Sequence, residues 1–252
     1  MMPPQSISAR ADAGLDSFGL AVVLPCPSVV ELAALAGYDF IRIDCEHAMM
    51  DASELRTMLQ TARLLGIPCQ VRVPDLASIT PLLGQEPAGI MLPHVEGVSD
   101  ARFLTEACRF APLGRRGMDG NTRRMRCEGM TREAYMSYAQ TNLNLIVQLE
   151  SRAALENIDE ILSVPGIDMV ATGRADLSQE LGVPGQKEHP DVIEAENFII
   201  RRALEHHKVP VITASTPERI HALKQMGVHC FVIGKDEELL NTGIRTRIQC
   251  NR

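Results

Sequence analysis

Short apolar runs alternate with longer amphipathic stretches along almost the whole chain. The runs are "GLAVVL" (19–24), "DFIRID" (39–44), "CQVRVP" (69–74), "AGIMLP" (88–93), "NLIVQLE" (144–150), "DMVATG" (168–173), "VPVITA" (209–214) and "HCFVIG" (229–234). Each is short, rich in Val, Ile and Leu, and bounded by Gly, Pro or charge, as strands buried on both faces are. Between most of them lie stretches of helical period, among them "SVVELAALAG", "SELRTMLQTARLLG", "AALENIDEILSV", "DVIEAENFIIRRALEHH" and "TPERIHALKQMG", several opening on Ser, Thr or Asp. Strands alternating with helices predict an α/β fold with a parallel sheet, and eight of them predict a single-domain (β/α)8 barrel over residues 1–252. An open, doubly wound sheet is the rival arrangement. Residues 1–18 read as a polar N-terminal extension, and 235–252 as a final helix that either closes the barrel or is exchanged between subunits. The long aperiodic segments 111–130 and 173–190 are expected to form active-site walls.

Composition narrows the function classes. The 252 residues carry Lys+Arg 25 against Asp+Glu 32, a formal net charge of −7, so no domain-wide basic footprint points to nucleic acid. The amino end, "MMPPQSISARADAG", has no signal-peptide-like apolar core, and no eighteen apolar residues run unbroken. The expectation is a soluble, cytoplasmic protein without membrane partners. Seven scattered cysteines without C-x-x-C spacing fit reduced thiols better than a disulfide framework or zinc cluster. The glycines of "GRRGMDG" and "GVPGQ" match no phosphate-binding fingerprint, so no nucleotide cofactor is expected.

In a barrel the carboxyl ends of the strands meet at one rim. The second run delivers Asp44, Glu46 and His47 there, the third Arg72, the fifth Gln148 and Glu150, and the loop after the sixth Asp176. Glu150 and Asp176 are hard oxygen donors suited to Mg2+ or Mn2+, with Co2+ a further option, and would leave coordination positions for water and a chelating substrate. The ordinary alternative for each is a solvated or helix-capping carboxylate. Arg72 would hold a substrate carboxylate or a developing enolate oxygen; its alternative is an ion pair to Asp44 or Asp75. An imidazole can exchange protons near neutral pH, so His47 suits acid/base work, with Asp44 or Glu46 orienting it. His94 is as readily a local hydrogen-bonding group as a pocket residue.

The blocks "YDFIRIDCEHAMMD", "VRVPD", "VQLES" and "VATGRADLSQELGVPGQKEHPDV", in that order, resemble the divalent-metal-dependent pyruvate aldolases of the 4-hydroxy-2-oxoheptanedioate and 2-keto-3-deoxy sugar-acid type. The likeness extends over about residues 19–240. It implies a barrel commonly assembled as a hexamer, and cleavage of a 4-hydroxy-2-oxo acid to pyruvate and an aldehyde through enolpyruvate. By it, Glu150 and Asp176 match the metal ligands, Arg72 the enolate-stabilising arginine, His47 the acid/base histidine and Asp44 the carboxylate behind it. Gln148 matches a polar pocket residue, and backbone groups near Gly173 and Ala175 would bind the 2-oxo acid carboxylate. Two features depart from the pattern. Arg174 stands where relatives read "GPADLS", and Arg115, Arg116, Arg123, Arg124 and Arg126 crowd one segment. Arg124 and Arg174 are therefore candidates for recognising a polycarboxylate or an acyl-CoA phosphate. That keeps open a second activity, since the family also includes a siderophore-pathway citrate synthase joining acetyl-CoA to oxaloacetate, as well as enzymes that decarboxylate oxaloacetate.

Overall fold

A computed structural model describes residues 6–251. The strands are β1 (Ser17–Val22), β2 (Phe40–Asp44), β3 (Cys69–Arg72), β4 (Gly89–Leu92), β5 (Asn144–Leu149), β6 (Met169–Thr172), β7 (Val209–Thr213) and β8 (Cys230–Lys235). Each pairs in parallel with the next, and β8 returns to β1 through Ser17↔Cys230, Phe18↔Phe231 and Gly19↔Val232. That closure makes a (β/α)8 barrel and excludes the open sheet.

Strand alternation explains how apolar runs can also carry the chemistry. Successive side chains point to opposite faces. Leu20, Ile41, Ile43, Val71, Ile90 and Val147 face outward and bury against the helices, each contributing roughly 1.5–3 kcal/mol of transfer free energy. Phe40, Met91, Ile146, Met169, Val211 and Cys230 fill the barrel. The same inward parity carries Arg42 and Asp44 on β2, Gln70 and Arg72 on β3, and Gln148 on β5. Gly19 leaves room for the interior: a Cβ there would stand 2.2 Å from Cζ of Phe40.

The amino-terminal expectation needs correction. Residues 1–5 lie outside the described residues, but Ile7–Asp12 is a helix and Ser17 already belongs to β1. Ser6 caps that helix, accepting from the Ala9 N–H at 3.2 Å. Ile7 is only 1% exposed and packs with Phe40, Met91, Ile146 and Met169, so the helix plugs the amino end of the barrel rather than extending from it.

Segment 111–130 does not start at the rim. It follows Arg109, whose guanidinium donates to the carbonyls of Leu143 at 3.0 Å and Gly166 at 2.9 Å and to Asp168, residues that lead into β5 and β6. The segment therefore leaves from the end of the barrel opposite the catalytic rim. The final helix, Asp236–Gln249, is anchored at its start, where the Asp236 carboxylate accepts the N–H groups of Val23 and Leu24, each at 3.0 Å. Beyond that turn Leu239, Leu240, Ile244 and Ile248 are each at least 50% exposed, so within one chain this helix does not close over the barrel flank.

Candidate active site

β2 ends on Asp44, and the chain turns there because the Asp44 side chain caps its own continuation. Its Oδ1 accepts the N–H of Glu46 at 3.0 Å and of His47 at 3.3 Å. Seven residues after Asp44, Asp51 and Glu54 form a reciprocal capping box that starts the helix Ala52–Leu65. The short loop between these two fixed points carries Glu46 and His47 at the mouth of the barrel.

On the neighbouring strand Arg72 forms a fork onto the same carboxylate, with Nε donating to Asp44 Oδ1 at 3.0 Å and Nη2 to Oδ2. Nη1 stands 2.9 Å from Glu46 Oε2 and 3.5 Å from Gln148 Oε1. The approach to Glu46 is off the hydrogen-bond line, and Glu46 Oε2 keeps no hydrogen bond. Burial alone would raise the Asp44 pKa, but the Arg72 guanidinium and the two backbone N–H groups hold it below the usual carboxylate value. The charges of Asp44, Glu46 and Glu150 outweigh burial at Arg72 and raise its pKa. This is an electropositive fork held rigid between anions, one edge of it toward Gln148.

Glu150, one residue beyond β5, is 2% exposed. Gln148 Nε2 donates to its Oε2, and the His94 backbone N–H donates to its Oε1 at 3.0 Å. Burial, with the negative charge of Asp176 added, pushes the Glu150 carboxyl up to about 7 against those donors. The Asp176 carboxylate thus lies close enough to add its charge to that of Glu150, a donor set that a divalent ion would neutralise. Among the described residues no three His, Cys, Asp or Glu side chains form a ready-made cluster for a metal. A catalytic ion held by few protein ligands keeps positions for substrate, and Glu150 with Asp176 fits that arrangement. Gly173, just after β6, is required by the same close packing, since a Cβ there would lie 1.9 Å from Glu150 Oε2 and 2.9 Å from Gln148 Nε2. Ala175 and Asp176 follow in the first turn of the helix Arg174–Glu180.

The structure thus brings together Asp44, Glu46, His47, Arg72, Gln148, Glu150, Gly173 and Asp176. Two details differ from expectation. Asp44 reaches His47 only through the main-chain N–H; the carboxylate beside the His47 ring is Glu46, with Oε2 3.6 Å from Nε2. The guanidinium groups of Arg174 and Arg124 are not turned toward Arg72 and Glu150. Arg174 is turned onto Glu188 at 2.8 Å and Glu196 at 3.6 Å. Arg124 pairs with Glu86 and Glu128 and lies 4.0 Å over the Tyr138 ring. A cavity of about 940 Å3 lined by Phe103, Phe110, Arg115, Arg116, Arg123 and Arg126 lies at that flank, away from the carboxylates.

One polar residue, Arg42, was passed over, and another, His94, was left between a pocket role and a local hydrogen bond. Arg42, one inward step below Asp44, is buried and donates through Nε and Nη2 to Gln70 Oε1 at 3.1 and 3.0 Å; burial pushes its pKa down to about 10. Its even spacing from Asp44 was the available signal. His94 lies two residues beyond β4, a rim position like the others, and bridges Glu46 and Glu150.

Comparison with known proteins agrees with this geometry. The family model described as HpcH/HpaI aldolase/citrate lyase matches residues 18–240. The chain is 32% identical over 222 residues to 2-keto-3-deoxy-L-rhamnonate aldolase of Shigella boydii serotype 4 (strain Sb227), covering 87% of this chain and 83% of that protein. Among solved structures, the HpcH/HpaI aldolase from Desulfitobacterium hafniense DCB-2 superposes with a TM-score of 0.90 at 27% identity, over 98% of this chain and 96% of that one. Citrate synthase SbnG superposes with a TM-score of 0.88 at 26% identity, over 98% of this chain and 97% of that one. With a family model spanning nearly the whole barrel and a site built on the strand ends that the model covers, the chain belongs to the HpcH/HpaI aldolase/citrate lyase family.

Proposed function

We propose that the protein is a divalent-metal-dependent aldolase that cleaves a 4-hydroxy-2-oxo acid to pyruvate and an aldehyde. The observation that carries this reading is the Arg72 fork, fixed by Asp44 and Glu46 with Nη1 toward Gln148, beside a buried Glu150 to which Asp176 adds a second negative charge. Glu150 and Asp176 would hold Mg2+ or Mn2+, whose chemistry there is to polarise the 2-oxo group.

The residues divide the remaining work. Arg72 and Gln148 bind the oxo oxygen, and the backbone beside Gly173 and Ala175 binds the acid carboxylate. His47, exposed at the mouth, takes the proton of the 4-hydroxyl. The C3–C4 bond then breaks, the new carbonyl leaves as the aldehyde, and the bonding pair becomes the enolate of pyruvate. Arg72 offsets the enolate charge with a donor already in place, which costs no reorganisation. Protonation at C3 completes the cycle. The free thiols of all seven cysteines suit a reducing compartment, and we place the enzyme in the cytoplasm.

Condensation of acetyl-CoA with oxaloacetate is the second reading, favoured by the likeness to citrate synthase SbnG over 98% of the chain. Arg124 and Arg174 do not strengthen it, because their guanidinium groups are engaged with carboxylates of the same chain. The test is a substrate panel with added cation, monitored separately for pyruvate release, oxaloacetate decarboxylation and CoA release. Cation-dependent pyruvate release from 4-hydroxy-2-oxo acids, abolished by a chelator, supports aldol cleavage. CoA and citrate appearing without pyruvate release would replace it by the second reading.

A further inference from the structure

β8 reaches the rim out of step with β1. Gly19 pairs with Val232 but Ala21 pairs with Lys235, so β8 takes three steps where β1 takes two. One extra residue of this kind reverses the face to which the following side chains point. Before it, Cys230 and Val232 fill the barrel while Phe231 packs outside. After it, Gly234 is turned outward, since a Cβ there would stand 3.3 Å from Cδ1 of Leu239 and 3.7 Å from Cδ1 of Leu20 on the outer face. Lys235 therefore points inward, in register with Ala21, which packs against the residues filling the barrel. Without the bulge the same lysine would lie outside.

In the closed strand order β8 is three places from β3 and three from β5, so Lys235 faces Arg72 and Glu150 from across the mouth. The last inward residues of its neighbours, Thr213 on β7 and Ala21 on β1, carry no charge. Among the described residues its only ion-pair partner is Glu237, 3.4 Å away on a side chain that is 62% exposed. An exposed pair of this kind holds a lysine only weakly. A substrate anchored at its 2-oxo acid end by Arg72 and Gln148 extends its other end, the part that leaves as the aldehyde, across the mouth.

We propose that Lys235, aimed by the bulge, determines specificity: its ammonium binds an anionic group on the aldehyde fragment, so aldehydes ending in a carboxylate are preferred over uncharged ones. This rests on the aldolase reading of the site. An ammonium is a point charge on a flexible stem rather than a planar fork, so it selects for charge more than for one chain length.

The test uses the full chain with Mg2+ or Mn2+ and pyruvate, run in the direction of bond formation. A series of aldehydes ending in a carboxylate, glyoxylate the shortest, is compared with the uncharged aldehyde of the same chain length, and the 4-hydroxy-2-oxo acid product is followed by chromatography. The readout is the ratio of kcat/KM within each pair. Both members are measured on one preparation, so the ratio does not depend on how much of a variant is folded. Wild type is expected to favour the carboxylate. Lys235→Met should lower the ratio by roughly ten- to a hundredfold, the worth of a hydrogen bond to a charged group, and Lys235→Glu should lower it further. A wild-type ratio at or below one at every chain length overturns the role of Lys235, as does a ratio that does not fall in the order Lys, Met, Glu. Condensation with the uncharged aldehydes then leaves the aldolase reading standing. No cation-dependent condensation with any aldehyde overturns both.

Discussion

Arg72 is bound to Asp44 by a two-pronged contact, so removing it has two consequences that must be kept apart. Arg72→Ala would leave Asp44 as a nearly buried, unpaired carboxylate, which costs on the order of 3 kcal/mol in stability as well as activity. Arg72→Lys keeps the charge beside Asp44 and Glu46 but loses the planar fork. It is expected to lower kcat by roughly a hundredfold with little change in melting temperature; near-wild-type pyruvate release by a folded Lys variant would remove Arg72 from the mechanism. Glu150 gives a prediction of opposite character. Its carboxyl is harder to ionise folded than unfolded, so the native state binds the extra proton. The corresponding stability is present below the ordinary value of 4.5 and is lost as pH rises towards about 7. In chelator-treated protein, stability relative to Glu150→Gln should therefore fall across that window and level off above it, measured by denaturant titration at each pH. A wild-type-minus-variant difference that rises with pH would contradict the assignment. At this scale the sequence identified the right residue types, but not all of their partners. Asp44 and His47 are three apart, and that spacing crosses a turn made by Asp44 itself, so the ring emerges beside Glu46 instead. His94 was legible as a rim residue and illegible as a bridge, because its two partners come from the ends of β2 and β5.

At the scale of elements the strands were the most legible feature, because a strand buried on both faces must be apolar and short. The two-residue parity within them was equally readable: it puts Arg42 inside the barrel with Asp44 on the same grounds that it puts Phe40 there. What the pattern could not express was the length of chain spent at each end of the barrel. Segment 111–130 is aperiodic whichever end of the barrel it leaves from, and it is the contacts of Arg109 with Leu143, Gly166 and Asp168 that show which end that is. Likewise the helix Ile7–Asp12 contributes one large buried side chain, too little to show as periodicity. Ile7→Ala should cost about 2–5 kcal/mol, with the lower end expected because a terminal helix can settle into the space. Thermal unfolding measures it, and an unchanged melting temperature would mean that the plug contributes nothing. The junction of β6 with the helix Arg174–Glu180 offers a sharper test of function against fold. In Gly173→Ala the added methyl would overlap Glu150 Oε2, so Glu150 must move. Overpacking of that kind costs about 1–3 kcal/mol, while Mn2+ affinity should fall by more than about tenfold as the donor is displaced. Retained affinity in a folded Gly173→Ala protein would show that Glu150 is not the ligand.

For the whole molecule, the final helix raises the question of what covers it. Leu239, Leu240, Ile244 and Ile248 recur at helical spacing on Asp236–Gln249, and all four remain in water within a single chain. An apolar stripe of this length marks an interaction surface more often than a solvated face. The anchoring of Asp236 to Val23 and Leu24 sets the direction in which the helix leaves the barrel, so the stripe is presented rather than folded back. We therefore expect a homo-oligomer in which this helix packs on a second copy, with the hexamer implied by the family resemblance as the assembly. Light scattering on the wild-type chain and on the double variant Leu240→Glu, Ile244→Glu tests this directly. The charges should break the assembly into smaller species, and the melting temperature of the wild type should rise with protein concentration because assembly binds only the folded state. If the wild type is monomeric at every concentration, or the double variant assembles unchanged, the helix is not the contact and the stripe needs another explanation. Since Asp236 ties this helix to the start of the loop after β1, breaking the assembly should also lower turnover if subunit contacts steady the rim, and leave it untouched if each barrel works alone.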